Sequence, residues 1–119
     1  MGHGIEGQAP QARLDIAAAQ AVAETLSALT APSRLMILGR LRQGPATVTQ
    51  LSEDVGMEQS AVSHQLRLLR TLGLVTRERL GRMAVYSLYD SHVASLLDEA
   101  VYHAEHLRIG VPDRASESA

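Results

Sequence analysis

The sequence predicts a mainly α-helical domain that contains one small β-hairpin. Before Gly73 apolar side chains recur about every 3.6 positions, which is the period of a helix. After Gly73 the period falls to about two, the period of a strand, in Val75–Leu80 and again in Met83–Leu88. The length of 119 residues suits one domain with a modest core. We expect that domain at residues 14–107, between a flexible N-terminal segment at 1–13 and a flexible tail at 108–119.

Two helices are predicted in the first third of the chain. Asp15 can cap a first helix that runs to about Leu29, and Pro32 suits the first turn of a second helix that ends before Gly44. The first helix has one apolar face, made of Ala18, Val22, Leu26 and Leu29. The second is apolar on almost every side, through Leu35, Ile37, Leu38 and Leu41, so we expect it to lie at the centre of the core.

Three further helices and the hairpin complete the prediction. Thr47 and Gln50 form a capping-box pattern at the start of a third helix, and Gly56 can end that helix in a left-handed conformation. A fourth helix spans roughly residues 58–72, and the hairpin turns at Gly81-Arg82. Asp90 or Ser91 caps a last helix that runs to about residue 107.

The composition excludes several classes of protein. Cysteine is absent, which excludes disulfide scaffolds, thiolate metal sites and cysteine nucleophiles. No apolar run approaches the length of a membrane-spanning helix, and no signal peptide is visible, so we expect a soluble protein without a membrane partner. No HExxH motif or other catalytic constellation occurs, so we do not expect an enzyme.

Charge is distributed unevenly along the chain. All eleven basic residues are arginines, and the net charge is −2. Between residues 60 and 82 five arginines face one glutamate, a local charge of +4, whereas residues 90–106 carry four acidic residues and no arginine. A basic middle and an acidic, histidine-bearing end predict two binding surfaces of different kinds.

The basic region has the element order of a winged helix-turn-helix, in which the N-terminal part of the second helix contacts base edges in the major groove of DNA. The side chains that we expect there are Gln59, Ser60, Ser63 and His64, with Arg67 able to reach a base or a phosphate. Arg77, Arg79 and Arg82 lie in the hairpin, where a wing would meet the DNA backbone or a minor groove. The alternative is a solvated helix face beside an arginine-rich edge strand.

A family resemblance supports the DNA-binding interpretation. The segment that carries it is VTQLSEDVGMEQSAVSHQLRLLRTLGLVTRERLGRMAVYSL, preceded by LTAPSRLMILGRL. Both resemble the DNA-binding core of the ArsR/SmtB-type metal-sensing repressors, and the match covers roughly residues 18–107. The resemblance implies a cytoplasmic homodimer that binds a palindromic double-stranded operator and is released by an inducer, usually a metal ion.

The acidic end contains four candidate metal ligands, Asp90, His92, His103 and His106, on one stripe of the last helix. Helical geometry separates His92 from His103 by about 16 Å along the axis, whereas metal–nitrogen bonds are about 2 Å long. One helix therefore cannot bring both ends to a single ion. Two antiparallel copies in a dimer joined through its terminal helices can do so, with two equivalent sites. The same residues resemble the C-terminal-helix metal site of the family.

The identity of the metal stays open between nickel, cobalt and zinc. Carboxylate and imidazole ligands suit all three ions, and four such ligands alone would suit tetrahedral zinc. The amine of Gly2 (after removal of Met1) and the imidazole of His3 could complete a six-coordinate site. The start MGHGIEG and the segment YSLYDSHVASLLDEAVYHAEHL resemble the nickel- and cobalt-sensing branch of the family, which favours Ni(II) or Co(II) over Zn(II). The histidines that follow in the tail of that branch are absent after His106.

Besides a zinc-dependent hydrolase, which the lack of an HExxH motif or of a base beside the metal ligands disfavours, two alternatives to a metal-released repressor remain at this point. One is a winged-helix regulator that is not directly metal-controlled and acts as an activator or with a protein co-regulator. The other is a purely structural dimerisation module. Sequence-selective binding to DNA would exclude the second, and metal uptake that depends on His103 and His106 would exclude the first.

Overall fold

A computed structural model describes residues 13–109 of the chain. The order of the elements is α1 (Ile16–Ser27), α2 (Pro32–Arg42), α3 (Val48–Val55), α4 (Gln59–Thr71), β1 (Val75–Leu80), β2 (Met83–Leu88) and α5 (Ser91–Arg108). The predicted flexible segments, 1–13 and 108–119, lie outside the described residues except for residues 13, 108 and 109. α5 ends one residue later than the sequence predicts.

Side-chain caps begin α1 and α3, and a glycine ends α3. The Asp15 carboxylate accepts a hydrogen bond from the backbone N–H of Ala18. At the start of α3, the Thr47 hydroxyl accepts from the Gln50 backbone, and the Gln50 side chain accepts from the Thr47 backbone, so the capping box is confirmed. Gly56 ends α3 at a φ of 72°, which a residue with a Cβ adopts only with strain.

The core forms where α2, α3 and α4 pack together, against the base of the hairpin and the first half of α5. Its fully buried larger side chains are Ile37 and Leu38 on α2, Leu51 on α3, and Val62, Leu66 and Leu69 on α4. α2 is central, as predicted, but it is not buried on every side. Leu35 and Met36 are 39% and 54% exposed, because no element of the described chain covers that face of α2.

The hairpin is antiparallel. Val75 pairs with Leu88 at its base, and Leu80 pairs with Met83 next to the turn. An isolated bridge between Ala46 and Tyr86 adds a third short extended segment to the edge of β2. The sequence analysis did not predict this bridge, which fastens the hairpin to the loop between α2 and α3.

Two helical surfaces stay outside the core. α1 has no buried residue, and on the apolar face predicted for it Val22 and Leu26 are exposed, whereas Ala18 and Leu29 are half-buried. In α5 only Val93 and Leu97 are buried, and the later apolar positions Ala100, Val101 and Ala104 are exposed. Both terminal helices therefore have apolar surface that no part of residues 13–109 covers. Within residues 13–109 no helix is long and apolar enough to cross a membrane.

Candidate DNA-binding surface and metal-binding residues

α4 has a buried face and a polar face. Val62, Leu66 and Leu69 anchor it in the core. On the remaining surface the structure places the five side chains predicted to contact DNA. Four of them, Gln59, Ser60, His64 and Arg67, are exposed, and Ser63 is half-buried. Except for Arg67 they belong to the first two turns, and this end of a helix is the part that contacts base edges when a helix lies in the major groove.

The turn between α3 and α4 is held by a compact set of hydrogen bonds. The backbone N–H groups of Gly56 and Met57 both donate to the carbonyl oxygen of Ser52, and the Ser52 hydroxyl donates to the carbonyl oxygen of Met57. These bonds fix the entry of the chain into α4. The polar face of α4 is therefore presented by a rigid turn rather than by a loose loop.

The hairpin arginines are all exposed. Arg77 and Arg79 alternate with Glu78 along β1, so the two arginines share one face of the hairpin and the glutamate lies on the other. Arg82 lies at the tip, beside Gly81, whose φ is 65°. This arrangement separates the one acidic residue of the hairpin from two of its three cations.

At its N-terminus α5 brings two of the candidate metal ligands together. One oxygen of Asp90 accepts hydrogen bonds from the backbone N–H groups of His92 and Val93, at 2.9 and 3.3 Å. The other oxygen lies 3.3 Å from Nδ1 of the exposed His92 ring. The contact with the His92 ring, with the backbone donors, lowers the pKa of Asp90. Asp90 is therefore both the helix cap and an ionised neighbour of His92.

The other two candidate ligands lie near the C-terminus of α5. His103 is exposed, and the half-buried ring of His106 packs against Tyr102, with 5.6 Å between the ring centroids. Because α5 is unbroken from Ser91 to Arg108, about 16 Å of helix separates His92 from His103. Within residues 13–109 no three histidine, aspartate or glutamate side chains of one chain are grouped to hold a metal ion. The two other predicted ligands, Gly2 and His3, lie outside the described residues.

Sequence reasoning missed the role of three arginines on α2. Arg34 donates to the side chain of Gln65 on α4, Arg40 pairs with Asp54 on α3, and Arg42 pairs with Asp98 on α5. An available signal was that the helix sequence PSRLMILGRLR has no acidic residue to pair with its own arginines.

Ion pairs also reduce the negative charge of the acidic surface predicted at the end of the chain. Asp98 is neutralised by Arg42, and Glu105 pairs with Arg108, one turn further along the same helix.

Comparison with known proteins identifies the fold and the family. Residues 31–77 match the family model "Bacterial regulatory protein, arsR family". The HTH-type transcriptional regulator NmtR of Mycobacterium tuberculosis (strain H37Rv) is 66% identical over 115 residues, which are 96% of this chain and 96% of NmtR. The chain belongs to the ArsR family. The family consists of bacterial regulatory proteins, and NmtR is a transcriptional regulator. This ArsR-family protein is therefore a transcriptional regulator, as the sequence analysis predicted.

Solved structures agree with this assignment. The solution structure of apo-NmtR superposes with a TM-score of 0.71, covering 95% of this chain and 96% of that one. The homodimeric winged helix-turn-helix DNA-binding domain of Mb0332 from Mycobacterium bovis is 30% identical, with a TM-score of 0.73 over 83% of this chain and 92% of that one. The predicted fold class, a mainly α winged helix-turn-helix with a small hairpin, is confirmed.

Proposed function

We propose that this ArsR-family regulator is a homodimeric repressor whose affinity for its operator is lowered by Ni(II) or Co(II), with Zn(II) as the alternative ion. The observation that carries the proposal is the placement of the candidate ligands. Asp90 and His92 lie at one end of an unbroken helix, and His103 and His106 lie at the other end. A single chain cannot join the two ends, whereas an antiparallel pair of chains can.

The proposed dimer uses the apolar surface that the single chain leaves exposed. α1 exposes Val22 and Leu26, and α5 exposes Val101 beside an open, apolar cleft of about 680 Å³ between α2 and α5. Apolar surface exposed on a helix face in this way is typical of an interaction site. The solved Mb0332 domain is a homodimer of the same fold, which supports the same assembly for this chain.

The donor set fits the proposed ions. One carboxylate and three imidazoles are oxygen and nitrogen ligands of the type that binds Ni(II), Co(II) and Zn(II), and the chain has no cysteine to select softer ions. Asp90 and His92 of one protomer, with His103 and His106 of the other, would hold the ion. Gly2 and His3 remain proposed further ligands for six-coordination. A bound ion would link the two α5 helices.

The proposed DNA contacts follow from the exposed polar face of α4 and from the hairpin. Gln59, Ser60, Ser63 and His64 would select the sequence, and Arg67 would contact a base or a phosphate. Arg77, Arg79 and Arg82 would contact phosphates or enter a minor groove and supply much of the affinity. Such a regulator acts on chromosomal DNA in the cytoplasm.

Operator binding measured by fluorescence anisotropy, with Ni(II), Co(II) and Zn(II) added in turn at buffered free concentrations, tests the proposal. The inducing ion should raise the operator Kd at least about tenfold, a coupling within the usual range for allosteric proteins. His103→Ala and His106→Ala should abolish that increase, and Ser95→Ala, an exposed position on the same helix, should not. An operator Kd that none of the three ions changes would favour a winged-helix regulator that is not directly metal-controlled.

A further inference from the structure

α2 contacts every other helix of the described chain through its arginines. At its N-terminal end Arg34 donates from Nε to the Gln65 side chain on α4 (3.0 Å) and from Nη1 to the carbonyl oxygen of Ser27, the last residue of α1 (3.2 Å). Near its C-terminal end Arg40 pairs with Asp54 on α3 at 2.6 Å. These contacts fasten α2 to both helices of the helix-turn-helix.

The link between α2 and α5 is a bidentate ion pair. Arg42 donates from Nε and Nη2 to the two oxygens of Asp98, at 3.0 and 2.9 Å, across 56 residues of sequence. A guanidinium that binds both oxygens of a carboxylate fixes their relative orientation as well as their distance. The pair is half exposed, so it contributes little to stability but restrains the angle between two helices.

Asp98 lies at the point where α5 leaves the core. The buried residues of α5, Val93 and Leu97, precede it, and residues 99–105 after it are all exposed. His103 and His106 belong to the part of α5 that follows Asp98, which we call the α5 arm (residues 99–108), and Asp98 joins the start of this arm to α2 through Arg42.

We propose that Arg42 and Asp98 are positioning residues that transmit metal binding on α5 to the DNA-binding face through α2. Movement of the α5 arm turns α2 through the Arg42–Asp98 pair. α2 then displaces α4 through the hydrogen bond between Arg34 and Gln65. Gln65 follows His64 in the sequence, and His64 lies on the polar face of α4. The inference rests on the proposed function, since it names the path by which the same metal site lowers operator affinity.

The test compares the operator Kd with and without the inducing ion in wild-type protein, Asp98→Asn and Arg42→Gln. An exposed ion pair changes an equilibrium constant by about 1.4- to fivefold, and the effects of the two pairs in the homodimer multiply, so the ratio of the two Kd values should fall about two- to 25-fold, up to complete loss of the metal effect. The operator Kd without metal, the metal affinity without DNA and the dimeric state should all stay close to wild type. Glu99→Gln, an exposed neighbouring acid, is the matched control and should leave the ratio unchanged.

A charge reversal separates transmission from a general loss of structure. Arg42→Glu and Asp98→Arg should each lower the ratio, and the double variant should restore at least half of the loss on a logarithmic scale. A wild-type ratio in Asp98→Asn and Arg42→Gln would overturn the inference and leave the proposed function intact. A wild-type protein whose operator Kd no metal changes would overturn both.

Discussion

Replacing Arg79 by glutamine should weaken the salt dependence of operator binding by a calculable amount. Arg79 is exposed on β1, on the same face as Arg77 and close to the hairpin tip with Arg82. If all three arginines contact phosphates in each half of a dimer, six phosphates are neutralised. The logarithm of the binding constant then falls with the logarithm of salt concentration with a slope of about −5 from these contacts. Arg79→Gln removes two of them and should make the slope less negative by about 1.8.

Fluorescence anisotropy with a labelled operator duplex at a series of KCl concentrations measures this slope. Arg108→Gln, an exposed arginine on α5, is the control and should leave the slope unchanged. Because a phosphate contact carries no sequence information, Arg79→Gln should weaken binding to a non-operator duplex by a similar factor. An unchanged slope would show that this part of the hairpin does not contact the DNA backbone.

Three further outcomes follow from the described contacts. Leu66→Ala, at a fully buried position of α4, should lower the free energy of unfolding by about 2–5 kcal/mol in a denaturant titration at fixed protein concentration, and a loss below about 1 kcal/mol would contradict the packing described here. Thr47→Ala removes one half of the capping box with Gln50 and should cost about 1 kcal/mol, seen as a Tm lower by about 4 °C; an unchanged Tm would show that the cap contributes nothing. The hydrogen bonds from Arg42 hold the pKa of Asp98 below its ordinary value of 3.8, so the pair stabilises the fold above that pH and loses this effect as the carboxyl is protonated. Because the pair is exposed, Asp98→Asn should lower the Tm only slightly at neutral pH, and the difference should shrink as the pH falls below 3.8; a Tm difference that does not change with pH would exclude the ion pair as its cause.

Local features of the fold were predictable because short-range physics decides them. The change of period after Gly73 located both strands, at Val75–Leu80 and Met83–Leu88, as the structure has them. Gly56 supplied the left-handed residue that ends α3, and the spacing of Thr47 and Gln50 gave the capping box. Each of these signals lies within a few residues of the structure that it specifies.

Contacts between distant segments were not predictable in the same way. The bridge from Ala46 to Tyr86 and the pair of Arg42 with Asp98 depend on how the helices pack, and periodicity contains no information about that packing. The apolar pattern of α2 predicted burial on nearly every side, but the pattern cannot tell a face that meets the core from a face such as that of Met36, which no other part of the described chain covers.

The candidate site was predictable only as a set of residues. The spacing of the four ligands on α5 predicted that they share a stripe and cannot meet within one chain, and that argument depends only on helical rise. The antiparallel pairing that would complete the site is a property of two chains, and it stays a prediction. The same holds for the residues predicted to contact DNA, all of which except the half-buried Ser63 are exposed, and their contacts with DNA stay a prediction.

The central claim, that each metal site takes ligands from both protomers, is tested most directly by complementation between two variants. One chain carries Asp90→Asn and His92→Ala, a pair that retains a capping side chain at residue 90. The other carries His103→Ala and His106→Ala. In an antiparallel dimer neither variant alone has a complete site, whereas each mixed dimer has one.

Refolding the two chains together in equal amounts should make half of the dimers mixed. Each mixed dimer has one of the two wild-type sites, so tight Ni(II) binding should return to about a quarter of the wild-type capacity. Competition with a chelator measures this binding. The account predicts this partial recovery. A mixture that binds no more Ni(II) than the two variants measured separately would contradict a site shared between protomers.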